Sequence, residues 1–152
     1  MRRERAPQGQ SDPSCHKQLN TWASSGDVNV ERLAGGRYRY THADNDTWAL
    51  LNFQEWSELM RSGRVVVVAY TATSGLNVEI ESGTPLASGT TPSGATWKAA
   101  KTVGGGNRSV FCHGGGSLTL EALAVYEGDE WPTVQQLIPR FPWFDGGSMP
   151  LQ

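Results

Sequence analysis

Arg64-Val65-Val66-Val67-Val68-Ala69-Tyr70-Thr71 is the stretch whose reading decides the fold. Four valines followed by Ala-Tyr-Thr make a β-branched run that fits a pleated surface, too short and too poor in helix formers for a buried helix. It predicts a central strand. Working outward, Ser74-Gly75 marks a turn, and Leu76-Asn77-Val78-Glu79-Ile80-Glu81 then alternates apolar and polar residues, placing Leu76, Val78 and Ile80 on one face of a sheet. Ser117 to Tyr126 repeats that alternation after Gly114-Gly115-Gly116. Thr96 to Val103 and Arg108 to His113 read as strands before it, and Val28 to Arg32, Arg37 to Thr41 and Trp48 to Asn52 add three more upstream.

About eight short strands separated by turn signals predict an all-β fold, a single jelly-roll-like β-sandwich in which the strands share one core. One short helix is expected in addition. Asn52-Phe53-Gln54-Glu55 has the form of an N-cap with an acidic residue three positions on, Phe53, Trp56 and Leu59 or Met60 recur at helical spacing, and Gly63 can end the turn.

The chain's 152 residues suffice for one core and leave little room for a second. Three parts follow from composition: a polar N-terminal arm over 1–18, the sandwich over 19–126, and a C-terminal arm over 127–152. The first has too little apolar content to fold alone. The last places Pro132, Pro139, Pro142 and Pro150 among Trp131, Leu137, Ile138, Phe141, Trp143 and Phe144, a proline density that predicts an extended segment rather than a long helix. So many aromatics must pack on their own body or on a neighbour.

Charge narrows the function classes. Thirteen Lys and Arg are scattered and offset by fifteen Asp and Glu, for a net charge of −2, so the basic face that nucleic-acid phosphates demand is missing. No apolar stretch approaches the ~20 residues needed to cross a bilayer, and no apolar core follows the charged start Met1-Arg2-Arg3-Glu4-Arg5, which argues against a secretory signal and for synthesis in a cytoplasm. Two cysteines, Cys15 and Cys112, are no disulfide framework. Both are expected reduced, with Cys112 a small core residue rather than a nucleophile.

Motifs that suggest chemistry give way to plainer readings. Asp44-Asn45-Asp46 supplies hard oxygens, but it lacks the glycine and the closing Glu of an EF-hand and reads as a hairpin loop bonding its own backbone; no metal is expected. Glu127, Asp129 and Glu130 read as a solvated turn. His113-Gly114-Gly115-Gly116 resembles an oxyanion-hole phrase, yet no Gly-x-Ser-x-Gly elbow and no alternation of strands and helices accompanies it. It and Gly104-Gly105-Gly106 read as turns between strands. His16 and His42 are isolated, so neither a zinc site nor a catalytic triad assembles. No enzyme and no cofactor is expected. Asn45-Asp46-Thr47 and Asn107-Arg108-Ser109 match the glycosylation pattern by chance.

Three segments carry a family resemblance. Gly63 to Ala72 resembles an early strand of jelly-roll carbohydrate-binding-like modules, Leu118 to Asp129 resembles their last strand, and Trp143-Phe144-Asp145-Gly146 is similar to a phrase that follows it in minor tail proteins of tailed bacteriophages, especially those of actinobacteria. The resemblance covers the chain from Gly63 on. It departs from the family in length, being far shorter, and in ending six residues after Gly146. It implies a virion component, either a minor tail protein or a capsid decoration protein, made in the host cytoplasm and partnered by other virion proteins; homo-oligomers are common among such surface proteins.

On that reading Trp131, Phe141, Trp143 and Phe144 are the expected interface anchors, aromatic side chains of the kind that dominate binding energy. The alternative is a free-standing carbohydrate-binding module contacting cell-surface glycans. Its stacking candidates are Trp48, Trp56, Tyr70 and Trp97, each of which has a plainer reading as core packing. Trp97 is the one expected at a surface, because it adjoins the Gly/Ser/Thr/Pro-rich stretch from Ser82 to Thr96, which reads as a loop, more commonly a solvated connection than a binding rim.

Overall fold

The computed structural model describes residues 19–33, 37–53, 63–80, 83–102 and 110–138. Among these residues ten strands run in the order β1 (Leu19–Ser24), β2 (Val28–Arg32), β3 (Tyr38–His42), β4 (Trp48–Phe53), β5 (Arg64–Ala72), β6 (Asn77–Ile80), β7 (Gly83–Thr90), β8 (Thr96–Thr102), β9 (Val110–His113) and β10 (Gly116–Glu127). A 3-10 turn at Gly128–Glu130 and a helix, α1 (Trp131–Leu137), follow. The strands form two antiparallel sheets: sheet A in the order β1-β4-β9-β6 and sheet B in the order β2-β3-β10-β5-β8-β7. The fold is the expected all-β sandwich.

The pairing pattern explains why it is jelly-roll-like. β3 pairs with β10, β4 with β9 and β5 with β8, so the chain between β3 and β10 is one long antiparallel hairpin rolled over on itself. The innermost pair of such a roll would be β6 with β7. Here it is not made: β6 ends sheet A, while β7 turns away to pair with β8 and ends sheet B.

The main core fills the space between the sheets. β3 alternates buried and exposed residues, so Tyr38 and Tyr40 point in while Arg39 and Thr41 face water. Leu51 of β4, Val66 and Val68 of β5, Val78 of β6, Val110 and Cys112 of β9, and Leu118, Leu120 and Leu123 of β10 complete it. Burying an aliphatic side chain of this size contributes roughly 1.5–3 kcal/mol. The spacing in β10 changes from even to odd because a bulge falls between Leu120 and Ala122. One extra residue flips the pleat. Glu121, buried at the bulge, meets Arg37 at 3.3 Å instead of facing the apolar interior unpaired.

A second core lies on the outer face of sheet B. Val65, Val67 and Ala69 of β5, Trp97 and Ala99 of β8, and Ala122, Ala124 and Tyr126 of β10 would leave this face apolar, and α1 covers it with Val134 and Ile138, both fully buried, and with Trp131 and Leu137. This is why all six residues from Val65 to Tyr70 are buried. Odd members face α1 and even members face sheet A.

Two expectations need correction. Residues 128–137 are helical rather than extended, because Pro132 falls in the first turn of α1, where its missing N–H would have no intrahelical partner. The stretch from Gly83 to Thr90 is an edge strand rather than a loop. An edge tolerates Pro85, and a bulge between Pro85 and Ala87 absorbs the irregularity. Asn52 and Phe53 close β4, and the rest of the helix predicted there lies outside the described residues.

Candidate binding surface

The outer face of sheet A has no cover like α1 among the described residues. Since Ala49 and Leu51 point into the core, Trp48 and Leu50 point out; since Val110 and Cys112 point in, Phe111 and His113 point out. Register sets these side by side. Trp48 stands opposite His113 and His113 opposite Asn77, while Leu50 stands opposite Phe111 and Phe111 opposite Glu79. Trp48, Leu50 and Phe111 are half-buried, and His113, Asn77 and Glu79 are exposed. The His113 ring stacks on Phe111 with centroids 5.9 Å apart and planes 17° apart. The result is a flat platform, apolar and aromatic toward β4 and hydrogen-bonding toward β6.

One end of the sandwich beside this platform is packed tightly. A side chain at Gly114 would strike the Gly75 carbonyl, and one at Gly116 would strike the Thr73 hydroxyl; both glycines also hold positive φ angles, +114° and +132°. The triple glycine therefore lets the 113–116 turn lie against the loops 43–47 and 73–76. Gly114 donates its N–H to the Thr47 carbonyl at 2.9 Å, and the Ser117 N–H reaches the Thr73 hydroxyl at 3.0 Å. Asp44 serves the same packing. Its Oδ1 accepts the Asp46 N–H at 2.9 Å and the Thr47 hydroxyl at 3.1 Å, the self-bonded loop expected from the sequence. No cluster of three His, Cys, Asp or Glu suited to a metal occurs among the described residues.

His42 is buried under these loops at 3% exposure. Its Nδ1 lies 3.3 Å from the Thr47 carbonyl oxygen and donates to it when it carries the proton, whereas Nε2 has no partner among the described groups. Burial, chiefly, and the neighbouring His113 hold its pKa below the ordinary imidazole value, against the pull of the Thr47 and Gly114 backbones. Cys112 is a free thiol in the main core, where burial pushes its pKa up to about 12. It is an inert core residue, as its strand position suggested.

The aromatic residues singled out in the sequence separate into three groups. Trp48 alone among the described glycan candidates is accessible, on the sheet A platform. Trp97 and Tyr70 are buried, at 7% and 8% exposure, which overturns the expectation of an exposed Trp97. Its indole lies under α1 and meets the Trp131 ring edge-on with centroids 6.3 Å apart, so Trp131 packs on its own body. Trp56, Phe141, Trp143 and Phe144 lie outside the described residues. Leu50, Phe111 and His113 were not foreseen; the signal was the alternation Val110-Phe111-Cys112-His113, which places one aromatic pair opposite the core face.

Compared with protein-family models, with curated proteins and with solved structures, the chain matches none.

Proposed function

We propose that this chain is a non-enzymatic structural protein on the surface of a tailed bacteriophage particle, attached to neighbouring virion subunits through the outer face of sheet A. The observation that carries the adhesive reading is the half-exposed row Trp48, Leu50 and Phe111, held flat on a rigid sheet whose other face is fully packed. Aromatic anchors on a stiff backbone lose little entropy on binding, and a polar rim of His113, Asn77 and Glu79 sets orientation. The virion setting rests on the resemblance carried by Gly63 to Ala72, Leu118 to Asp129 and Trp143 to Gly146. The test is quantitative mass spectrometry of gradient-purified particles. Stoichiometric copies that vanish in Phe111→Asp, with the variant still folded, are expected, and absence of the wild-type chain from particles removes this reading.

A second reading is favoured by the same platform. Trp48 and the stacked Phe111–His113 pair offer ring faces beside two hydrogen-bonding side chains, the chemistry that recognises a pyranose. A glycan-binding module predicts saturable sugar binding lost in Trp48→Ala and weakened in Phe111→Leu, which removes one ring face of the platform. Trp97→Ala is no longer a test of it, because that residue holds α1 in place.

A further inference from the structure

His42 sits where a second proton has no place to go. It ends β3, points inward in step with Tyr38 and Tyr40, and is 3% exposed. Its neighbours along the sheet are Val28 on β2 and Gly116 on β10. In a neutral imidazole one nitrogen carries a hydrogen and the other is a bare acceptor. Since Nδ1 lies 3.3 Å from the Thr47 carbonyl oxygen, the tautomer that fits has its hydrogen there, and Nε2 is bare with no partner among the described groups. A second proton would go on Nε2, leaving a buried donor and a buried charge with nothing to receive them.

The ionisable groups around it do not offset that charge. His113, at the end of β9, is itself basic. On the 43–47 loop the Asp44 Oδ1 already accepts the Asp46 N–H and the Thr47 hydroxyl, and the Asp46 side chain is exposed. Asp27, before β2, meets this end through its carbonyl, which accepts the Ala43 N–H at 3.3 Å. Residues 73–76 and 114–117 carry no ionisable side chain. Burial, chiefly, and His113 lower the His42 pKa, and no carboxylate raises it.

The same Thr47 carbonyl also accepts the Gly114 N–H at 2.9 Å, the bond that ties the 113–116 turn to the 43–47 loop. Trp48 follows Thr47 and His113 precedes Gly114, and these two flanking residues stand opposite each other on the sheet A platform. The turn has little room to adjust in place. A side chain at Gly114 would strike the Gly75 carbonyl, and one at Gly115 would come within 3.0 Å of the Asp44 backbone. Relief of a charged His42 therefore comes by parting turn from loop rather than by small shifts within them.

We propose that His42 is an acid-operated switch for the sheet A platform: its protonation parts the 113–116 turn from the 43–47 loop, admits water to the ring and displaces His113 from its place opposite Trp48. As regulation of binding this rests on the platform reading above, whereas the structural change needs no partner. Above the unfolded imidazole value of about 6.5 the platform is held flat, and it is released as pH falls through the lower folded value of His42.

The experiment is an NMR titration of the full-length, isotope-labelled chain from about pH 7.5 to about pH 4.5, following the His42 ring, the Gly114 amide and the Trp48 indole N–H. It is run on the wild type and on His113→Gln, which removes the neighbouring imidazole and with it any direct response of Trp48 to that ring's charge. Both should show one transition shared by the three signals, with a midpoint below about 6.5. In it the Gly114 amide loses its hydrogen-bonded shift, while the Val67 and Leu120 amides keep theirs. His42→Gln should abolish the Gly114 and Trp48 transitions; should that variant not fold, the other two chains still decide. The proposal is overturned by a Gly114 or Trp48 signal in His113→Gln that stays still while the His42 ring titrates, or by a His42 midpoint at or above about 6.5. It is equally overturned by transitions that persist in folded His42→Gln, or by Val67 and Leu120 amides that move with the rest, which is simple unfolding. A failed titration leaves the adhesive reading standing, and absence of the chain from particles leaves the titration standing, so the two fail separately.

Discussion

The two outward faces of this sandwich are built from the same strand alternation but meet opposite fates. The outer face of sheet B is apolar at Val65, Val67, Ala69, Trp97, Ala99, Ala122, Ala124 and Tyr126, and α1 covers it. The outer face of sheet A mixes Trp48, Leu50 and Phe111 with His113, Asn77 and Glu79, and stands half open. The difference lies in composition more than in geometry. An apolar patch of that size cannot be left in water, whereas a face with a polar half can be stable alone and still offer apolar area to a partner. Sheet B thus uses its second face for stability, and sheet A's outer face is half open among the described residues.

The sharpest way to break this contrast is to uncover sheet B. Val134→Asp buries a carboxylate against Ala and Val side chains at 1% exposure and should cost at least ~3 kcal/mol, read as a lower midpoint in urea denaturation. Next in size is Gly114→Ala at the end where loops from both sheets meet. A positive φ and a clash with the Gly75 carbonyl should together cost about 2 kcal/mol, measured the same way.

A smaller effect depends on pH. His42 has its pKa lowered in the folded chain, so the unfolded chain binds the proton first. Stability from this group is complete above the unfolded value of about 6.5 and is lost as pH falls through the folded value below it. Denaturation midpoints should decline below pH 6.5, and His42→Gln should flatten that decline. Smallest is Phe111→Ala on the open face, expected to lower stability by less than about 1.5 kcal/mol while removing the partner or glycan binding proposed for the platform. A loss as large as that of Val134→Asp would mean that sheet A's outer face is a core after all.

The same contrast explains what was legible in the sequence. The run Val65 to Tyr70 announced a central strand because apolar residues on both sides of a strand leave few other readings. Leu76 to Ile80 announced a half-wet one by its alternation. Trp97 misled, because proximity to a Gly/Ser/Thr/Pro-rich stretch says nothing about which face a side chain takes; its register opposite Ala69 and Gly89 decides that. β1 and β7 escaped notice as edge strands, whose single neighbour tolerates residues that a central strand would reject. α1 was hidden by its prolines, harmless at the start of a helix and beyond its end. The platform was half visible: Trp48 stood out by residue type, while Leu50 and Phe111 needed the cross-strand register that only the folded sheet supplies.

The rolled hairpin also sets an order of events in time. β10 lies between β3 and β5 at the middle of sheet B, yet it is the last of the described strands to be synthesised. β2 with β3 can form early, as can β5 with β8 and β7, but these two halves cannot join until Glu127 has left the ribosome. Loop closure over such separations is slow. During synthesis the inner faces of β3 and β5 therefore wait, with Tyr38, Tyr40, Val66 and Val68 uncovered, and the nascent chain is at its most aggregation-prone just before its central strand arrives.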